Sequence, residues 1–260
     1  MANTVMNTET GTTRTDIDTP FPLRGATALV TGANRGTGRA LAGELLERGA
    51  AKVYGGARRP DTITDPDIEP VRIDITDPDQ IAAAAARCQD VTLLVNNAGV
   101  FRGAPLLSTP SAQDARDEME TNYFGTLSMI RAFAPVLAAN GGGAVVNVLS
   151  VLSFINYAPW GSYSATKSAA WSLNNSVRDE LAGQHTRVVA VHAGLVDTEM
   201  ADGITLPKIP VSDFVSATVD GLEAGRIEVL VDEHTRAFKP LLADHPHNRS
   251  SQPRPESVAR

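Results

Sequence analysis

Tyr163 and Lys167 stand four residues apart in the segment Tyr163-Ser164-Ala165-Thr166-Lys167, so a helix there puts phenol and ammonium on one face. A phenol ordinarily titrates at about pH 10, and a neighbouring cation stabilises the phenolate and brings proton exchange towards neutrality. Tyr163 can then donate or accept a proton. Taken alone, the pair reads by default as two surface residues on a helix. Ser150 adds meaning, because it ends an apolar run thirteen residues before Tyr163, where its hydroxyl can hold a carbonyl oxygen. Ser153, one helical turn further on, is the competing hydroxyl. A hydroxyl, a phenol and an ammonium of this kind describe proton transfer to or from a polarised oxygen.

A second chemical feature is the turn Thr31-Gly32-Ala33-Asn34-Arg35-Gly36-Thr37-Gly38. Its Gly-x3-Gly-x-Gly spacing differs from the general Gly-x-Gly-x-x-Gly fingerprint. Its glycines allow a tight turn, close approach to a pyrophosphate and close packing of the next helix, whose N-terminus offers free N–H groups. A merely tight connection is the alternative reading. The nucleotide is argued from charge. Where an NAD site places an acid at the end of the second strand, this chain reads Gly55-Gly56-Ala57-Arg58-Arg59. Arg58 can pair with a 2′-phosphate, with Arg35 in reach, so NADP(H) is expected over NAD(H). Two solvated loop arginines are the competing account. Asp74 suits either the adenine amino group or an ordinary turn cap.

The elements that must position these groups alternate. Apolar runs at 26–31, 52–56, 71–75, 91–95, 144–149, 187–192 and 227–231 read as strands; 36–48, 81–87, 112–137, 163–181 and 211–222 read as helices. Strands joined by helical crossovers imply an α/β fold, a Rossmann-type doubly wound parallel sheet of about seven strands with helices on both faces. One domain over 22–243 is expected, with a disordered tail at 1–21 and a second tail at 244–260. His245-Pro246-His247 in that tail lacks a third ligand nearby, so no metal site is expected.

Composition agrees with a soluble enzyme-sized domain. The chain has 260 residues, 42% hydrophobic and 20% charged, enough to bury a core. Its formal charge of −7 would repel a polyphosphate backbone or an anionic surface, so neither nucleic acid nor membrane is an expected partner. The apolar runs are strand-sized, short of a membrane span. Cys88, the single cysteine, permits no internal disulfide and fits a reducing, cytoplasmic compartment.

Together these residues resemble the short-chain dehydrogenase/reductase family, in the subgroup marked by Thr-Gly-x3-Gly-x-Gly and Tyr-x3-Lys. Thr31–Gly38 matches the first motif and Tyr163–Lys167 the second. Asn96-Asn97-Ala98-Gly99 matches the family's structural and cofactor-lining motif, and Ser150 stands at its catalytic serine offset. The resemblance runs roughly from Pro22 to Val231. It implies cofactor contacts at Gly32, Asn34, Arg35, Gly36, Thr37, Gly38, Arg58, Asp74, Asn96, Ala98, Gly99, Tyr163, Lys167, Gly194, Val196 and Thr198. It also implies that Ser150 polarises a carbonyl, Tyr163 carries the proton, Lys167 lowers the phenol pKa and binds the ribose, and Asn122 holds a water linking Lys167 to solvent. Three departures stand out: Thr37 in place of Ile or Leu, Leu149 in place of the first of a serine pair, and His192-Ala193-Gly194 in place of the family's Pro-Gly. His192 reads as a packed strand residue.

Phe101, the 151–160 stretch with Phe154, Ile155, Tyr157 and Trp160, and Leu195 and Met200 are expected to make an apolar substrate side, with 197–209 as a lid. The resulting expectation is an NADPH-dependent carbonyl reductase or alcohol dehydrogenase acting on hydrophobic ketones, aldehydes or secondary alcohols. The alternatives are an NAD-dependent dehydrogenase of the same family and a non-catalytic nucleotide sensor. The two long helices carry apolar residues on several faces, Trp171 and Leu173 among them, and the family resemblance implies that they pair into a homodimer or homotetramer, with Trp171 as intramolecular core the competing reading.

Overall fold

The computed structural model describes residues 20–244; both expected tails and His245-Pro246-His247 lie outside the described residues, apart from the first tail's last two positions and Asp244. Seven parallel strands form one sheet in the order β3-β2-β1-β4-β5-β6-β7: β1 (Thr27–Thr31), β2 (Lys52–Ala57), β3 (Ile68–Arg72), β4 (Leu93–Asn96), β5 (Gly143–Val148), β6 (Thr186–His192) and β7 (Glu228–Leu230). The order reverses between β1 and β4. At such a switch point the strand ends splay towards opposite sides and leave a crevice at their carboxyl edge.

Alternation along the strands splits the core in two. Ala28, Val30, Val146 and Val191 face α1 (Gly36–Glu47) and α6 (Val211–Glu223), meeting Leu41, Leu45, Phe214 and Leu222. Leu29, Leu94, Val145 and Val188 face the other way, against α2 (Pro78–Arg87), α4 (Thr126–Ala139) and α5 (Gly161–Leu181). Strands buried on both faces are why these runs read as unbroken apolar stretches.

Two expected elements change. The third strand is 68–72 rather than 71–75, because Ile68–Arg72 pairs in register with Val53–Ala57 and residues 73–77 turn towards α2, whose N-cap Asp77 accepts from the Asp79 and Gln80 N–H groups. Pro70 is tolerated because β3 is an edge strand. The helical stretch expected over 112–137 is broken into α3 (Gln113–Met119), a π-helical turn at Glu120–Gly125 and α4. Such a turn inserts an extra residue, often at a functional site, and here it contains Asn122. Pro135 lies inside α4, in its second half. Among the described residues no helix is long and apolar enough to cross a membrane, and no group of His, Cys, Asp and Glu is arranged to hold a metal. Cys88 is buried and free, and burial pushes its thiol up to about 11.

Candidate active site

The turn between β1 and α1 is built around contacts that admit no larger residue. Gly32 has φ +70°, and a Cβ on Gly38 would stand 2.2 Å from the Gly32 carbonyl oxygen. Asn97 clamps this turn: its amide donates to the Thr31 carbonyl at 3.0 Å, and its oxygen accepts from the Thr37 hydroxyl at 2.8 Å. The Thr31 hydroxyl accepts from the Asn97 and Ala98 N–H groups, both at 3.0 Å, tying β1 to the end of β4. The result is a backbone cradle at the switch point, which fits a pyrophosphate. Asn97 was not singled out from the sequence, although it sits inside a motif that was. Its neighbour Asn96 points elsewhere, donating to Asn147 at 2.9 Å within a buried ladder that continues to Asn174, so only its backbone is left for a nucleotide.

The ends of the cradle carry the charge. Arg58 is exposed at the exit of β2 with no ion pair among the described residues. Arg35 is also exposed, but it bonds the Glu199 carboxylate. Pairing with a phosphate would require Arg35 to exchange that partner, and an exposed pair of this kind is worth about 0–1 kcal/mol. Asp74 caps its own turn, accepting from the Thr76 N–H at 3.0 Å and hydroxyl at 2.8 Å. Asn34, Gly36 and Thr198 surround the mouth of α1, with Thr198 3.6 Å from the position of a Gly36 Cβ.

Beyond the cradle a cavity of about 570 Å³ is lined by Thr37, Asn97, Gly99, Ser150, Tyr163, Lys167, Gly194, Val196 and Thr198 on its deep side. Ser150 lines it and Ser153 does not, so the competing hydroxyl is out of place. Ser150 caps the one-turn helix after β5, its Oγ accepting from the Leu152 N–H at 3.1 Å. Lys167 is buried and its Nζ donates to the Val148 carbonyl at 2.9 Å, 5.5 Å from the Tyr163 ring centre.

Burial dominates the electrostatics of the pair. Lys167 was expected to depress the Tyr163 pKa, yet burial raises it, and the nearby Glu118 charge adds in the same direction. Burial also lowers Lys167 to about 8. At neutral pH the Lys167 ammonium is still mostly charged, but it is bonded to the Val148 carbonyl rather than to the phenol. Within these residues Tyr163 is therefore held as the neutral phenol, the form that donates a proton.

Asn122 lies in the π-helical turn. Its side chain is buried, accepting from the Val100 N–H and donating to the Val100 carbonyl, both at 2.9 Å, and donating to Thr166 Oγ1 at 3.1 Å. The Thr126 hydroxyl donates to its backbone carbonyl at 3.0 Å. These bonds fix the Val100 segment against α5. Two groups were missed in the sequence. Glu118 is fully buried and accepts from the Arg102 N–H at 2.6 Å. Asp232, the N-cap of α7 (Glu233–Phe238), accepts from the Gly194 N–H at 2.7 Å, fixing the loop that lacks the usual proline. A chain region past the last strand gave no periodic signal to reveal it.

The outer part of the cavity is apolar, with Phe101, Ile155, Tyr157, Trp160, Leu195 and Met200 in its wall. Phe101 packs edge-on against Trp160 and Tyr163 with ring centres 5.3 and 5.1 Å apart. Phe154 is instead buried outside the lining. The loop 197–209 is tied at its base, where the Asp197 N–H donates to Ile209 (2.9 Å) and the Ile209 N–H to Leu195 (2.8 Å). Ile204, Leu206 and Pro207 of that loop close one side of the cavity.

Comparison with known proteins agrees with this geometry. The family model described as short chain dehydrogenase matches residues 26–208. A short-chain dehydrogenase from Burkholderia cenocepacia, solved in complex with NADP, is 46% identical, with a TM-score of 0.82 over 85% of this chain and 94% of that one. An NADP-dependent 3-hydroxy acid dehydrogenase of Schizosaccharomyces pombe is 29% identical over 69% of this chain and 74% of its own. A Burkholderia phymatum short-chain dehydrogenase/reductase solved with NAD is 26% identical, with a TM-score of 0.74 over 84% of this chain and 92% of that one. With the cradle, the serine, the tyrosine and the lysine assembled at one sheet edge, the chain belongs to the short-chain dehydrogenase/reductase family of oxidoreductases.

Proposed function

We propose that the protein is an NADPH-preferring reductase of hydrophobic ketones and aldehydes, working in reverse on secondary alcohols. The observation that carries this reading is an apolar cavity opening onto Ser150, Tyr163 and Lys167 beside a glycine cradle next to a second strand that ends in Arg58 rather than an acid. A nicotinamide dinucleotide bound in the cradle would supply or accept the hydride. Gly32, Gly36 and Gly38 would give its phosphates room, the first turn of α1 would offer them free N–H groups, Arg58 would pair with the 2′-phosphate, and Lys167 would hold the ribose.

The residues of this chain do the rest. Ser150 Oγ donates a hydrogen bond to the substrate oxygen and stabilises the negative charge that grows there. Tyr163, kept protonated by its burial, delivers its proton to that oxygen. Lys167, when charged, stabilises the phenolate left behind. Phe101, Tyr157 and Trp160 exclude water and bind the apolar body of the substrate.

A small hydroxy acid is the second reading, favoured by the resemblance to the 3-hydroxy acid enzyme. Among the described residues the cavity wall offers one lysine or arginine besides Lys167, Lys208, which would have to exchange Asp197, 3.6 Å away, to hold a carboxylate. The test is nicotinamide absorbance with NADPH and with NADH over aromatic and aliphatic ketones and aldehydes, with 3-hydroxy acids in the oxidative direction. Faster reduction of aromatic ketones with NADPH supports the proposal. Faster turnover of 3-hydroxy acids, or a preference for NADH, overturns it.

The proposal includes self-association through α4 and α5, whose shared groove is lined by Tyr123, Leu127, Ile130, Leu173 and Val177. Trp171 lies outside that groove, in line with its competing reading as core. It packs within the subunit, 4.9 Å from the Phe154 ring, and Leu173 is mostly buried in the core. A light-scattering mass equal to one chain would count against association.

A further inference from the structure

The proposed chemistry leaves one buried ionisable cluster unused. His192, at the end of β6, is fully buried and does not line the cavity. Its Nδ1 lies 3.1 Å from the Ser150 carbonyl oxygen. A carbonyl only accepts, so this nitrogen carries the hydrogen. The ring lies against Phe154, with centres 4.2 Å apart and planes at 32°, and meets Trp171 edge-on at 6.0 Å. Its Nε2 is 3.6 Å from Glu228 Oε1, too far for a hydrogen bond. Glu228 is in turn paired with Lys239, whose ammonium sits 4.9 Å over Phe154 and 5.3 Å over Trp171. Lys239 therefore takes up the carboxylate charge that would otherwise face the imidazole alone. Burial lowers the His192 pKa, with Glu228 and the Ser150 carbonyl opposing it, so the ring is neutral at pH 7.

The exit of β5 is fixed at every residue from 148 to 151. Lys167 holds the Val148 carbonyl, the Leu149 N–H donates to Val191 at 2.7 Å, and the Val151 N–H donates to Ala193 at 2.8 Å. At Ser150 itself, the Ser153 N–H and His192 Nδ1 meet the carbonyl. We infer that His192 is a positioning residue for Ser150: its Nδ1–H anchors the carbonyl of the residue whose hydroxyl meets the substrate oxygen, while Phe154 and Trp171 pack against the ring and hold its plane. This rests on the proposed role of Ser150. Apolar packing alone would need no nitrogen at this place, and the donor is what a leucine of similar bulk lacks.

Two substitutions separate anchoring from packing. His192→Asn places an amide N–H where Nδ1 stood but leaves space behind it; His192→Leu restores the bulk without the donor. Anchoring requires kcat to follow the donor, so with NADPH and the fastest ketone of the panel the Asn variant should stay within about threefold of wild type. The Leu variant should fall about tenfold or more, with the KM for NADPH within about twofold, even where its melting temperature is the higher of the two. A Leu variant with wild-type kcat, or an Asn variant no faster than Leu, overturns the inference. Because either variant could fail to fold, imidazole nitrogen NMR of the wild-type enzyme gives a second reading. One of the five histidines should be a neutral Nδ1–H tautomer at pH 7, titrating below the ordinary histidine value of about 6.5. A spectrum without such a ring overturns the inference even if the enzyme turns over. Wild-type protein with no turnover overturns the proposed function instead, and the spectrum still decides the hydrogen bond.

Discussion

Replacing Arg58 with alanine should separate the two nicotinamide cofactors. Arg58 is exposed and unpaired among the described residues, so its attraction to a phosphate acts through a nearly aqueous medium. At 4 Å and the dielectric of water, two unit charges interact by about 1 kcal/mol, and a 2′-phosphate approaching two negative charges doubles that. A hydrogen bond to a charged group measured by substitution is worth about 1.5–3 kcal/mol, which agrees with the Coulomb figure. The loss corresponds to about a 10- to 150-fold rise in the KM for NADPH at low salt. NADH has nothing for Arg58 to hold, so its KM should stay within about twofold. Arg35→Ala should cost less, because Arg35 leaves Glu199 to engage a phosphate. Initial rates with each cofactor varied against one fixed ketone measure both. The NADPH effect should shrink as salt is added, since the screening length is about 8 Å at physiological ionic strength. Equal changes for the two cofactors, or none for either, would refute the assignment of Arg58.

Burial holds Lys167 at about 8 against an ordinary 10.5, so its ammonium discharges as pH rises through about 8. If that charge supports Tyr163, kcat/KM for reduction falls above about pH 8, and Lys167→Arg, which stays charged, moves the alkaline limb upward. An unmoved limb would assign it to another group. The same shift acts on stability: between about pH 8 and 10.5 the unfolded chain binds the extra proton, so this residue makes stability rise with pH across that window. Lys167→Met should remove that slope from urea midpoints. Gly38→Ala would place a Cβ 2.2 Å from a backbone carbonyl. At about 1–3 kcal/mol for overpacking, the melting temperature should drop by about 2–12 °C, and added NADPH should no longer raise it. A Gly38→Ala protein that NADPH stabilises normally would contradict the cradle.

The sheet was legible because parallel strands buried on both faces leave unbroken apolar runs, and the glycine turn because its spacing is set by contacts at Gly32 and Gly38. The third strand was misplaced by three residues because Ile73 and Ile75 are buried like strand residues while lying in a turn. The π-turn at Glu120–Gly125 has no periodic signature that distinguishes it from α-helix. Charge relations were the least legible. Spacing places Lys167 beside Tyr163 but does not reveal that both are enclosed, or that Glu118, forty-five residues away in sequence, adds a charge of the wrong sign for ionising the phenol. Asp232 and the Lys239–Glu228–His192 cluster depend on a segment after β7 that is too short to carry a pattern.

The most direct test of the proposed chemistry is Tyr163→Phe, assayed for NADPH binding by fluorescence and for ketone reduction by absorbance at 340 nm, roughly the reduced nicotinamide band. The ring and its packing against Phe101 survive the substitution, and only the proton donor is removed. NADPH affinity within about twofold of wild type, with turnover reduced about 10²- to 10⁴-fold, is the result expected of a positioned general acid. A Tyr163→Phe enzyme that reduces ketones at the wild-type rate would contradict the assignment of Tyr163 as the proton donor.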